Sequence, residues 1–370
     1  MNMIKNNIFK ILFYLLIIQI YASNVLLASH LEGKSKSEKE RYLKIRLEQI
    51  PNNHKKVIIK PSNSLKKINK EVKKNKKISR MIDKSSLLSV IYYDGEKVVI
   101  DQKSDKIKED TKIYSFSMSK SIASYMLGDA ICNGHIKGLD DQIVNYIPEA
   151  KGTLYENSSF KELINMSAGD LNFANRKAGS KKFIYADKII RKQFTAKDYL
   201  MSSKGVKKSK KLFNYHNFLT DFVARAVDNQ VPGGLQKSYQ NLANRAGTKS
   251  EMFYLKDSNG WPLLFAWFYA ERQDYLRIAM QIAKDWRSQS CIGNYLRNIE
   301  SMQIKADRGG GKGSNYAGYF WFDRSIKSRH VQMRGHGNQR IHINLENGSI
   351  LLFHAIAGDF DSKKLFKLVK

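Results

Sequence analysis

Hydrophobic and polar positions divide the chain into zones. After an apolar run near the start, residues 33 to 80 are polar and Lys-rich, with Lys66-Lys67, Lys73-Lys74 and Lys76-Lys77 and with Pro51 and Pro61 as interruptions. This predicts a surface segment with some helix rather than a core. At Leu87 the pattern changes. Leu88-Ser89-Val90-Ile91-Tyr92-Tyr93 reads as a strand, Asp94-Gly95 as a turn, and Lys97-Val98-Val99-Ile100 as the returning strand of a hairpin. Residues 122–131 read as a mostly buried helix that ends at Asn133-Gly134. From about 160 to 304 the pattern is mostly helical, clearest over 217–227 and 274–286. Strand patterns then return at 318–322, 340–345 and 349–355, the last two joined through Asn347-Gly348. They predict a three-stranded antiparallel meander, followed by an amphipathic helix over 361–369.

β-rich ends around a helical middle predict an α+β fold. Its antiparallel sheet is built from both chain ends and flanked by helices, with a helical subdomain inserted over about 122–310. There is no internal repeat. The chain has 370 residues, enough for one large domain or two closely packed subdomains.

Lys and Arg number 64 against 34 Asp and Glu, a formal charge of +30. Such a balance suits an anionic partner, but the basic residues are spread rather than striped, which describes a solvated surface as well. No nucleic acid is expected, since charge alone argues for it. Two cysteines, Cys132 and Cys291, form no C-x-x-C pair, so no zinc site is expected and a disulfide framework is excluded; a single bridge stays open. Lys5 and Lys10 precede the apolar run 11–18, and small residues follow at Ala22-Ser23 and Ala28-Ser29. This is the form of a secretory signal peptide over 1–29, with an uncleaved membrane anchor as the alternative. The expected organisation is therefore a signal peptide, a basic extension over 30–86 and the main domain over 87–370, in a periplasmic or secreted protein.

The chemistry centres on Ser117-Met118-Ser119-Lys120. A Ser at a helix start with Lys three residues on puts both side chains on one face. Burial disfavours the charged amine, which can then accept the Ser proton during attack on an acyl carbonyl. The helix N-terminus favours a developing oxyanion. Taken alone, Ser-x-x-Lys in a Lys-rich chain also describes an ordinary helix start.

Context adds to it. The stretch 114–122 resembles the nucleophile segment of the serine β-lactamase-like hydrolases, the group of class C β-lactamases, D-alanyl-D-alanine carboxypeptidases and esterases. The resemblance continues through Leu127-Gly128-Asp129-Ala130-Ile131, Leu139-Asp140-Asp141, Tyr146-Ile147-Pro148-Glu149 and Leu163-Ile164-Asn165-Met166-Ser167-Ala168-Gly169. In these segments it looks most like the 6-aminohexanoate-dimer hydrolase branch. It covers roughly 87–359 and implies a β-lactamase/transpeptidase-like fold and an acyl-enzyme on Ser117.

The family's Tyr-x-Asn is matched by Tyr215-His216-Asn217. Tyr215, beside a Lys ammonium, is expected to have a lowered pKa and to share the base role with Lys120. Asn217 is expected to bind a substrate carbonyl; a helix-capping Asn is the bland alternative. The family's third element, a Gly-rich strand motif, is matched by Gly335-His336-Gly337-Asn338-Gln339, with Asn338 where the family usually has Gly. His336, Gly337 and Asn338 are therefore the substrate-binding candidates, their backbone N–H groups completing an oxyanion hole. His135, His330, His342 and His354 show no metal spacing, the Gly309 to Ser314 run misses the phosphate-loop spacing, and no Gly-x-Ser-x-Gly elbow occurs. No cofactor or metal is expected. The expected partners are a small amide, ester or peptide substrate and, as a further candidate, a cell-wall polymer, with membrane contact only through the N-terminal segment. The alternative reading is an inactive scaffold that binds an anionic polymer.

Overall fold

The computed structural model describes residues 54–174, 194–307 and 313–369; the expected signal peptide lies outside them. In chain order the elements are β1 (Lys55–Ile59), α1 (Lys76–Lys84), β2 (Leu87–Tyr93), β3 (Val98–Lys103), β4 (Ile113–Tyr114), α2 (Met118–Cys132), α3 (Phe160–Ile164), α4 (Leu171–Ala174), α5 (Ala196–Met201), α6 (Phe218–Gln230) and α7 (Gly234–Ala246). There follow β5 (Met252–Lys256), β6 (Phe268–Ala270), α8 (Arg272–Trp286), α9 (Cys291–Ser301), β7 (Ile304–Lys305), β8 (Ser314–Ala317), β9 (Phe320–Asp323), β10 (His330–Arg334), β11 (Arg340–Asn344), β12 (Ile350–Ala355) and α10 (Ser362–Leu368).

The large sheet runs β3-β2-β12-β11-β10-β9-β8-β7, so the two chain ends meet where β12 pairs antiparallel with β2. Side-chain alternation gives it two apolar faces. Leu88, Ile91, Met333, Ile341 and Leu352 point to the main core. Val90, Leu351 and Phe353 point the other way, under Ile78 and Ile82 of α1 and Leu365 of α10. Helix α2 is buried at every residue from Met118 to Ala130 and packs against α6, α7 and α9. A helix buried on every side is a central one, and its polar side chains must find partners inside the fold. Cys132, which ends α2, is bonded to Cys291, which begins α9.

Three expectations change. The meander is longer than three strands, because β10 supplies a strand whose alternate residues His330 and Gln332 are polar yet buried. The helical middle is interrupted by a second sheet, β1-β5-β6-β4. Strands β5 and β6 are buried on both faces and so carry no period-2 signal. Residues 54–84 are not a loose extension. β1 pairs with β5, Ile59 is fully buried, and the stretch around Lys70 runs parallel to β3 before α1 covers the large sheet.

Candidate active site

Strand β4 delivers the chain to the nucleophile. It pairs with β6, and Ser115 N continues the ladder to Phe268 O (2.9 Å). The chain must then turn into α2 within two residues. Phe116 takes up the turn at φ +46, a left-handed conformation that a bulky residue holds only when its surroundings enforce it. Ser117 follows as the N-cap residue, its hydroxyl making no capping bond.

The enforcement comes from the serines around it. Ser115 Oγ donates to Ala266 O (2.7 Å), Ser119 Oγ donates to Leu264 O (2.6 Å), and Lys120 Nζ donates to Phe265 O between them. Three successive carbonyls are thus gripped by three side chains of one motif. Ser121 Oγ donates to Tyr319 O (2.7 Å) on the other side of the helix.

Lys120 is 1% exposed, and its Nζ lies 3.1 Å from Ser117 Oγ. The same Nζ stands over the rings of Tyr215 and Phe265, 5.3 and 5.7 Å from their centres. Beneath this group lies Asp221 of α6, fully buried. Its Oδ1 accepts from Phe265 N (2.9 Å). Burial holds the Asp221 carboxyl well above the usual carboxylate range, while its backbone donors and the charge of Lys120 act in the opposite direction.

Tyr215 is placed by its two neighbours. Asn214 Nδ2 donates to Asp170 Oδ1 (3.0 Å), and Asn214 N to Met166 O (2.7 Å). His216 Nε2 lies 2.5 Å from Tyr199 Oη. The Tyr215 ring stacks on Trp321 and meets Tyr316 edge-on. Its hydroxyl hydrogen-bonds Ser117, yet burial pushes the phenol up to about 12. The lowered pKa expected for Tyr215 is therefore corrected. Lys120 faces the ring, and desolvation prevails. Asn217 occupies the N-cap position of α6 and is half-buried, but its side chain makes no capping bond, which removes the bland alternative.

The third candidate segment is the turn between β10 and β11. Gly335 N donates to Gln339 O (2.9 Å), and Gln339 Nε2 donates to Tyr114 O (3.0 Å), which ties the turn to the strand leading to Ser117. A Cβ on Gly335 would stand 2.8 Å from Ser115 O. His336 is exposed, its ring 5.5 Å from that of Phe116. Gly337 has φ +75, and a Cβ there would stand 2.4 Å from Ile356 O. Asn338 has φ +67. Asn is the side chain that best tolerates this region, so its presence where the resemblance expects Gly preserves the backbone shape.

Lys120 and Tyr215 are thus each bonded to Ser117, with the Lys120 amine over the Tyr215 ring. Asn217 joins them through the Tyr215 loop, and His336, Gly337 and Asn338 through the turn. The sequence reading missed Ser115, Ser119, Phe265, Asp221 and Trp321. One signal was available: Asp221 is the acid inside the apolar run Phe218-Leu219-Thr220-Asp221-Phe222-Val223. No group of His, Cys, Asp and Glu that could hold a metal occurs among the described residues.

No sequence-family model and no curated protein matches the chain. Solved structures do. One described as a 6-aminohexanoate-dimer hydrolase from Bacillus anthracis superposes with a TM-score of 0.69 at 13% identity, over 88% of this chain and 91% of the other. A D-stereospecific amidohydrolase from Streptomyces sp. gives 0.57 at 14% identity, over 77% and 93%. A class C β-lactamase in complex with cefoxitin gives 0.54 at 12%, over 79% and 94%. At these identities the likeness speaks for architecture, and the chain carries the serine β-lactamase/transpeptidase-like fold.

Proposed function

We propose that the protein is a serine hydrolase that cleaves an amide or ester bond through an acyl-enzyme on Ser117. The observation that carries this reading is the buried Lys120 amine 3.1 Å from Ser117 Oγ, with the Tyr215 hydroxyl bonded to the same serine. Ser117 Oγ attacks the carbonyl carbon while its proton passes to the neutral Lys120 amine. Tyr215, a phenol across the working pH range, donates to the leaving group and is reprotonated from Lys120. The oxyanion is held by the N–H of Ser117 at the start of α2 and by a backbone N–H of the His336-Gly337 turn. Water then attacks the acyl group with the same residues in reversed roles. Substrates are amides, peptides, esters or β-lactams of modest size; the amide and β-lactam part of this range is supported by neighbours described as a 6-aminohexanoate-dimer hydrolase, an amidohydrolase and a class C β-lactamase. A fluorophosphonate probe tests the mechanism. It is expected to label the wild type and not Ser117→Ala; equal labelling of the two overturns the covalent step.

The apolar segment 11–18 and the Cys132–Cys291 bond favour a periplasmic or secreted location, since disulfides persist in oxidising compartments. A second reading, binding of an anionic cell-wall polymer, is favoured by one feature. Residues 55 to 84 hold twelve basic and two acidic side chains, most of the basic ones exposed. Salt-sensitive polymer retention by a protein that turns over no amide or ester would support it. Turnover lost in Ser117→Ala would reject it as the main activity.

A further inference from the structure

Asp221 has no place in the mechanism above, yet its surroundings are built around the catalytic amine. Its Oδ1 accepts from Phe265 N (2.9 Å), and the carbonyl of the same residue accepts from Lys120 Nζ. One residue therefore links acid and amine. Its second oxygen, Oδ2, is buried with no hydrogen-bond partner. A buried carboxyl left half-satisfied is costly, and an ionised one is costlier still unless a cation offsets it. The charged and titratable groups that face Asp221 are few. Lys120 comes from α2, Asp257 from the turn after β5, and the phenol of Tyr319 from between β8 and β9. Lys120 is the cation among them. It faces the same environment from the other side, with Ser117 Oγ and Phe265 O as acceptors and the Tyr215 and Phe265 rings as cation-binding faces.

We infer that Asp221 is a positioning residue for the reaction: it pins the 264–266 segment against the nucleophile helix, and its carboxylate raises the affinity of the Lys120 amine for a proton. This rests on Lys120 as the proton acceptor in the proposed hydrolysis. Where the acid is ionised the pair is ammonium and carboxylate, the charge of Lys120 acting against the burial that holds the carboxyl up. The attacking form needs a neutral amine, so acylation rises with pH as Lys120 loses its proton. When Ser117 Oγ bonds to the substrate carbon, its proton re-forms the ammonium, and Asp221 is already placed to offset that charge. The carboxylate thus favours the charge distribution that acylation produces, and requires a higher pH to reach the reactive state.

The test is the rate of fluorophosphonate labelling from about pH 5 to about pH 9 in wild type and Asp221→Asn. Asn preserves the size and an acceptor for Phe265 N but removes the charge. The ascending limb is expected to move down by about one pH unit or more. At about pH 5.5 the variant should then reach a several-fold larger fraction of its own plateau than wild type does. The plateau itself falls, because the charge that offsets the new ammonium is gone. A side chain that merely supports the fold would lower the plateau and leave the limb in place, and that outcome overturns the inference. So does a limb that moves up. Asp221→Ser, uncharged and able to accept from Phe265 N, is expected to shift in the same direction and replaces Asn if that variant does not fold. Absence of wild-type labelling, or equal labelling of Ser117→Ala, would instead remove the hydrolase reading and is distinguishable from both.

Discussion

Trp321 lies against the face of Tyr215, ring centres 5.8 Å apart and planes 25° apart. Trp321 is 8% exposed and belongs to β9, whereas Tyr215 sits on the loop before α6. The large sheet therefore fixes the ring that carries the candidate acid. Trp321→Ala removes this support and is expected to slow labelling of Ser117 about tenfold, the equivalent of one aromatic contact. It should also cost about 3 kcal/mol of stability. Trp321→Phe should recover most of the rate. Labelling rates set beside urea midpoints separate the two effects, and an unchanged rate in the Ala variant would mean that Tyr215 is held without Trp321.

The turn at 335–339 separates two substitutions that look alike on paper. Gly337→Ala places a Cβ 2.4 Å from the Ile356 carbonyl at φ +75. Backbone must move, so a loss of about 2 kcal/mol or more is expected, together with loss of labelling. Asn338→Gly relaxes a left-handed residue at φ +67 and gives up one bond from Arg340 Nη2 (3.2 Å). It should stay within about 0.5 kcal/mol of wild type and retain labelling. Urea denaturation of both variants checks this, and equal losses would show that the turn does not depend on its left-handed pair.

The bond between Cys132 and Cys291 closes a loop of 159 residues and joins the end of the nucleophile helix to α9. Tyr295 of α9 lies against Gly128, so close that a Cβ on Gly128 would stand 2.4 Å from its ring. Cross-linking constrains the unfolded chain, by about 2–4 kcal/mol for typical bridges. Cys132→Ser with Cys291→Ser is expected to lower the urea midpoint accordingly and to leave the labelling rate of the folded protein within about twofold, since Ser117 is at the opposite end of α2. A large rate loss without a stability loss would contradict that separation.

The candidate site was legible where its residues are close in sequence and was lost where the fold brings distant ones together. Ser117 and Lys120 lie on one helix face by spacing alone, and helix propensity plus the Asn133-Gly134 cap placed that helix. The β2–β3 hairpin followed from alternation and Asp94-Gly95. Phe265 offered no sign, because it contributes a main-chain carbonyl, which every residue possesses. Trp321 read as one more aromatic in a strand. β5 and β6 looked helical or featureless, since burial on both faces erases the two-residue period. The Tyr215 role was misjudged for an electrostatic reason: the family pattern gives a Lys nearby but not that its ammonium faces the ring, nor how far burial disfavours the charged phenolate.

Three histidines that resist protonation make stability fall on acidification: His354 and His330, which are buried, and half-buried His342. Burial holds His354 at about 3, with Ser89 Oγ 3.1 Å from its Nδ1, and His342 at about 3 as well, with Gln332 Nε2 3.3 Å from its Nδ1. Both folded-state values lie below the ordinary histidine value near 6.5. The stability they contribute is complete above that value and is lost as pH falls toward about 3, because the unfolded chain takes up protons that the native state refuses. Each of His354 and His342 costs about 1.4 kcal/mol per pH unit over that window. At about pH 5 the two together lower the unfolding free energy by about 4 kcal/mol relative to pH 7. His354→Gln should lower the slope of urea midpoint against pH between those values, whatever it does to the midpoint at pH 7. A slope unchanged in the variant would mean that His354 is protonated in the native protein and finds a partner for its charge.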